Sequence, residues 1–94
     1  MVNKSKISYL YIIVCGEYVK VGFAKDVEHR LSTVQVCNPV PVELVYKHPV
    51  KSSIIRIIES FIHYKLRQYH VRGEWFKVNP DVVKETINSY FPLE

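Results

Sequence analysis

The chain has no internal repeat, no low-complexity tract and no linker-like run, and 94 residues leave no room for a second domain. One compact unit spanning 1–94 is expected, large enough to bury a core without staples. Cysteine is scarce. Cys15 and Cys37 stand far apart, with no CxxC pair and no histidine at zinc-site spacing, which argues against a structural zinc and predicts two reduced thiols. No apolar run approaches the length of a membrane span. The stretch from Ile7 to Cys15 follows lysines at 4 and 6, yet it carries two tyrosines and lacks a small-residue cleavage site. Neither a membrane partner nor a leader is read there, and the expected location is the cytoplasm of the source cell or of an infected host.

What is present is an ordinary globular composition, 48% hydrophobic and 23% charged. Thirteen Lys and Arg outweigh nine Asp and Glu, giving a formal charge of +4. Such a balance favours a polyanionic partner, because neutralising phosphates releases condensed counterions. A homodimer stays open as an assembly state.

The local patterns divide the chain into alternating strands and helices. Ser8 to Val14 and Glu17 to Gly22 are β-branched and aromatic, and read as a hairpin turning at Gly16. The period of two puts Tyr9, Tyr11 and Ile13 on one face and Leu10, Ile12 and Val14 on the other, so that Tyr11 and Lys20 can approach on one side of the sheet. Asp26 is a good N-cap for a helix to about Gln35, stopped by Asn38-Pro39-Val40-Pro41. Val42 to His48 reads as a third strand ended by Pro49. Ser52 or Ser53 then opens the longest helix, to about Tyr69. On a helical wheel Ile54, Ile58, Phe61, Ile62, Lys65 and Tyr69 share its apolar face, with Ile55 and Leu66 on the flank and Glu59 at the edge. Gly73 breaks the chain, and Glu74 to Val78 is extended or a short turn. Asn79 as N-cap and Pro80 at the first position open a last helix, which packs through Val82, Val83, Thr86, Ile87 and Tyr90.

Five segments carry reactive groups: Tyr9-Leu10-Tyr11, Lys20-Val21-Gly22, Arg30, Glu59-Ser60-Phe61-Ile62-His63 and Arg72-Gly73-Glu74-Trp75-Phe76. In this order and spacing they resemble the GIY-YIG endonuclease superfamily, above all its small phage and bacterial branch, over roughly Tyr9 to Val78. The second signature motif of the superfamily usually begins with tyrosine, and here Lys20 stands in that place. The resemblance implies an α/β (α+β) domain with a three-stranded antiparallel sheet flanked by three helices. It also implies hydrolysis of a DNA phosphodiester bond with Mg²⁺ or Mn²⁺ as cofactor, the alternative being a catalytically weak or inactive nucleic-acid-binding module of the same fold.

On that reading Tyr11 and Lys20 handle the water, Arg30 grips the phosphate and stabilises its developing charge, and Glu59 is the metal ligand. Tyr9, His63, Arg72 and Glu74 are second-rank candidates, and Trp75 and Phe76 are expected to close the core under the last helix. Gly22 lets the strand come close to the site. Each group also has a plain structural alternative. Tyr11 can be a half-buried strand tyrosine and Lys20 a solvated strand lysine, Arg30 can pair with Asp26, and Glu59 can pair with His63 or Arg56. Asn79 is better explained as a helix cap than as a site residue.

Overall fold

The computed structural model describes residues 6–93, so that Lys4 lies outside it. The chain runs β1 (Ile7–Cys15), β2 (Tyr18–Ala24), α1 (Val27–Val36), β3 (Glu43–Lys51), α2 (Ile55–Lys65), a 3₁₀ turn (Arg67–Tyr69), β4 (His70–Arg72), β5 (Trp75–Phe76) and α3 (Pro80–Tyr90). The expected hairpin forms: Gly16, at φ +61°, takes the left-handed conformation that a tight turn between right-twisted strands requires. Its register sets Tyr11 opposite Gly22 and Ile13 opposite Lys20.

The three helices are present, but the sheet has five strands rather than three, in the order β3-β1-β2-β5-β4 and antiparallel throughout. The additional pair comes from the segment after α2. Gly73, at φ +54°, reverses the chain so that Arg72 pairs with Trp75, and β5 then adds to β2 through Val19–Phe76 and Lys20–Trp75. Strands this short leave no periodicity to read, and their existence depends on a distant partner. β3 also continues through Pro49 to Lys51. It lies at the outer edge of the sheet, where a residue without an N–H is tolerated.

The sheet is covered on both sides, which is why Leu10, Tyr11, Ile12 and Ile13 are all fully buried in the interior strand β1. Tyr11, Ile13, Ala24, Val27 and Val34 form the core beneath α1. Leu10, Ile12, Val21, Ile58, Ile62, Phe76, Val83 and Ile87 belong to a larger one beneath α2 and α3. Adjacent strand residues point to opposite faces, so Phe76 enters the larger core while Trp75 packs against the Tyr11 side. The expectation that both lie under the last helix is corrected accordingly.

Both predicted caps at the flanking helices form. Asp26 accepts a hydrogen bond from the His29 N–H at 3.0 Å, and Asn79 accepts from the Asp81 N–H at 2.8 Å. α2 differs from its expected form. It begins at Ile55 without a side-chain cap, because the Ser52 hydroxyl is in contact with that of Ser8 at 2.6 Å instead. It buries Ile55, Ile58, Ile62 and Leu66, leaving Ile54 43% and Ile57 71% exposed. The helix is thus rotated toward Ile55 and Leu66 relative to the wheel, and this rotation carries Glu59 inward, to a partly buried position.

Candidate functional site

The site is organised by a bare backbone. Beyond Lys20 and Val21, β2 has no strand partner on its β5 side among the described residues, and the last link there is the Val21 N–H to the Glu74 carbonyl at 3.0 Å. At Gly22, where that pairing ends, side chains from both faces of the sheet can meet. A Cβ built on Gly22 would lie 2.5 Å from the Tyr11 hydroxyl oxygen and 2.6 Å from Glu74 Oε1. The glycine is needed for the space it leaves, as no side chain fits between the phenol and the carboxylate.

Tyr11 itself is fully buried, and its hydroxyl has no hydrogen-bond partner. Burial and the negative charge of Glu74 raise its pKa, while the Arg30 guanidinium, close enough to favour the phenolate, pulls the other way. Lys20 pairs with Glu74 Oε1 at 3.2 Å and lies 5.5 Å from the centre of the Trp75 ring. Glu59 reaches the same place from α2. Its pKa is raised to about 7 by burial, by the charge of Glu74 and by a hydrogen bond with the Glu74 carboxyl, against the opposing pull of Lys20 and Arg56. Its Oε2 is buried and has no hydrogen-bond partner. Removing a carboxylate oxygen from water without a partner is costly, so the arrangement holds unsatisfied capacity for a proton or a cation.

Tyr11 is thus within electrostatic reach of Arg30 and Glu59, and Glu59 of Lys20, while Glu74, a second-rank candidate in the sequence, acts on Tyr11, Lys20 and Glu59 alike. The signal that could have promoted it is the glycine before it. Gly73 turns the chain back against β2, which delivers the next side chain to the strand end. Arg30 stands exposed on α1, between two grooves that it lines together with His29. The first, of about 680 Å³, runs between the start of α1 and the start of α2; the second, of about 520 Å³, holds Lys20 and Trp75. Among the described residues no ion pair joins Arg30 to Asp26, whose side chain caps α1.

The other candidates lie elsewhere or serve the scaffold. His63 donates from Nε2 to the Val21 carbonyl at 2.7 Å and sets its ring edge-on to Phe76, so it ties α2 to β2 one turn after Glu59. Tyr9 shares the Tyr11 side of the sheet and carries the Lys47 ammonium 5.0 Å from its ring centre. Arg72 is exposed on β4 and lines neither groove. Asn79 caps α3. Among the described residues no helix is long and apolar enough to cross a membrane, and no group of three or more His, Cys, Asp or Glu could hold a metal ion. Both thiols are free.

No curated protein and no solved structure matches this chain. A family model does: the T5orf172 domain, a phage-associated domain related to nuclease folds, aligns with residues 8–91. Spanning nearly all of the sheet, the three helices and every residue of the site, that match places the chain in the T5orf172 domain family.

Proposed function

We propose that this chain is a GIY-YIG-type endonuclease that hydrolyses DNA phosphodiester bonds with the help of a divalent cation. The observation that carries this reading is a buried phenol and a carboxyl meeting over Gly22, with a second carboxyl and two cationic side chains in electrostatic reach of them. Phosphodiester hydrolysis needs a group to orient and deprotonate water, a cation to stabilise the pentacoordinate phosphorus, and acidic oxygens to hold a metal. Those chemical types all stand here.

Glu59 and Glu74 fit a divalent ion by their donor chemistry. Two neighbouring carboxyl groups, one with an unpartnered oxygen, repel each other when both are ionised, and a cation relieves that repulsion. Hard oxygen ligands suit Mg²⁺ or Mn²⁺, and Mg²⁺ keeps several waters, so one or two protein carboxylates suffice. Glu59 is the principal ligand in this reading and Glu74 its neighbour. When bound, the ion supplies Lewis-acid polarisation of the phosphate.

The remaining work falls to the chain. Arg30, exposed on the ridge between the grooves, receives the scissile phosphate and stabilises its growing charge. The Tyr11 hydroxyl is buried within reach of the Arg30 guanidinium, and in this reading it acts on a water held at the phosphate that Arg30 receives. Burial works against its ionisation, and the positive charge of Arg30 is what would let the phenol accept or direct a proton. Lys20, held by Glu74 and lying against Trp75, orients the water or screens the phosphate from the acids.

The test is nicking of supercoiled plasmid and of single-stranded DNA with Mg²⁺ or Mn²⁺, with chelator, and with Arg30→Ala. Cleavage is expected only with metal and intact Arg30. Absent cleavage alongside salt-sensitive DNA binding would leave the second reading, a binding module of the same fold, for which the +4 formal charge is the favouring observation, and metal-independent cleavage would remove the divalent cation from the first.

A further inference from the structure

The groove between the start of α1 and the start of α2 shares Arg30 with the chemistry just described, but the rest of its lining has no part in it, and that lining is strongly one-signed. Lys25 and His29 contribute from α1 and the residue before its cap, Arg56 from the first turn of α2, and Arg30 from the ridge shared with the second groove. The only acid on its wall is Asp26, and that carboxylate is occupied by the His29 N–H. Among the described residues no ion pair neutralises Lys25, Arg30 or Arg56. Folding has thus placed three permanent cations around one concavity of about 680 Å³ with no ion pair to any of them among the described residues. Like charges held this close repel, a cost that an anionic ligand would relieve. The groove also opens beside Phe23 and Ala24, next to Gly22, where β2 has no further strand partner. A polymer whose phosphate rests on Arg30 therefore has a charged channel leading away from it along the sheet edge.

We propose that this groove is a second phosphate subsite, formed by Lys25, His29 and Arg56, which holds the backbone of the substrate strand next to the phosphate at Arg30. The inference rests on the nuclease reading for its register, but its chemistry requires only a phosphodiester strand. Its purpose is positional. A guanidinium and two carboxyls can act on one phosphorus only if the strand is fixed on either side, and contacts to non-reacting phosphates supply that fixation.

Binding of a short DNA duplex to the full chain in chelator is followed by fluorescence anisotropy over a salt series. Lys25→Gln and Arg56→Gln should each make the slope of log affinity against log salt shallower by roughly 0.9, the value for one lost phosphate contact on duplex DNA. Lys84→Gln, the same change of charge on α3 and outside the groove, should leave the slope as it is. Lys25 and Arg56 are exposed, and the melting temperature of each variant checks that the fold is intact. Lys25→Gln is the cleaner arm, because Arg56 also acts on Glu59. Unchanged slopes in the groove variants, or an equal change in Lys84→Gln, overturn the subsite. So does a shift of the Lys25 and His29 signals by inorganic phosphate without any slope change on DNA, which would make the groove a site for free phosphate. Shallower slopes in a chain that never nicks DNA keep the subsite and remove the nuclease reading. Metal-dependent nicking with unchanged slopes does the reverse, and a chain with no measurable DNA binding loses both.

Discussion

The carboxyl group of Glu59 lies within electrostatic reach of that of Glu74, although one side chain rises from α2 and the other from the turn before β5. Burial of Glu59 and, after it, the negative charge of Glu74 make ionising Glu59 costly when no cation is near. Glu59 should accordingly titrate near 7 in the metal-free protein, far above an ordinary glutamate. A raised pKa in the folded state favours folding in acid: the contribution is full below the ordinary value of 4.5 and is lost as the pH climbs through about 7. The melting temperature of the wild type measured against Glu59→Gln should therefore fall across that window. Glu74→Gln should return Glu59 toward the normal range, read from its side-chain carboxyl carbon by NMR. A Glu59 titrating like a surface glutamate would dismiss both its burial and the influence of Glu74.

Tyr11 offers a separation of stability from function. Its hydroxyl is buried and unpartnered, which costs folding free energy, whereas its ring fills the core beneath α1. Tyr11→Phe keeps the ring and deletes the orphan group, so thermal stability should hold or rise by up to about 1 kcal/mol. Cleavage should fall by orders of magnitude if the phenol handles water. A large loss of stability would mean that the hydroxyl has a partner in solution and is structural.

Gly22 is predicted to be intolerant of even one methyl group. The Cβ of Gly22→Ala would meet the Tyr11 ring and hydroxyl and the Glu74 carboxylate below van der Waals distance, and the ring is locked in the core. Overpacking of this kind costs roughly 1–3 kcal/mol. Chemical denaturation should register it, and cleavage should be lost beyond what the residual folded fraction explains. An alanine variant with wild-type stability and activity would show that the phenol and carboxylate do not lie over that α-carbon.

How far the sequence discloses this arrangement depends on how local each determinant is. Gly16, Asp26 and Asn79 act within a few residues, so the hairpin and two helix starts can be read directly. The alternation that puts Tyr9, Tyr11 and Ile13 on one face is equally local. What escapes is set by distant partners. β4 and β5 exist only because β2 offers an edge, and Glu74 becomes central only once Gly73 has folded it back on that edge. The phase of α2 escapes for another reason. Its isoleucines surround much of the helix, so a face centred near Ile58 and Lys65 is as good a solution as one centred on Ile55 and Ile62, and packing against the sheet chooses between them.

His63 is predicted to position α2 rather than to move protons. Its Nε2–H is committed to the Val21 carbonyl and its ring to Phe76. His63→Phe retains the ring contact and leaves the carbonyl unpaired, at a cost of roughly 1–3 kcal/mol. His63→Gln, which can still donate, should recover part of that. The pH profile of cleavage should keep its shape in both variants. A profile that loses one of its limbs in His63→Gln would instead make the imidazole a participant.

Glu59 divides an enzyme from a binder, because the two roles respond oppositely to loss of its charge. As a metal ligand, Glu59→Gln retains size and hydrogen-bonding capacity but removes the charge that attracts Mg²⁺, so nicking should fall by orders of magnitude. DNA binding in chelator should survive or tighten, since a negative charge has left a phosphate-facing surface. The same substitution also ends the repulsion with Glu74, so the metal-free protein should be no less stable at neutral pH. The wild type, but not the variant, should gain melting temperature on addition of Mg²⁺, as any ligand bound only by the folded state requires. If Glu59 serves only as a structural neighbour of Glu74 and Arg56, Mg²⁺ will not distinguish the two proteins and cleavage will be kept. Full nicking activity in a well-folded Glu59→Gln protein would end its assignment as the metal ligand.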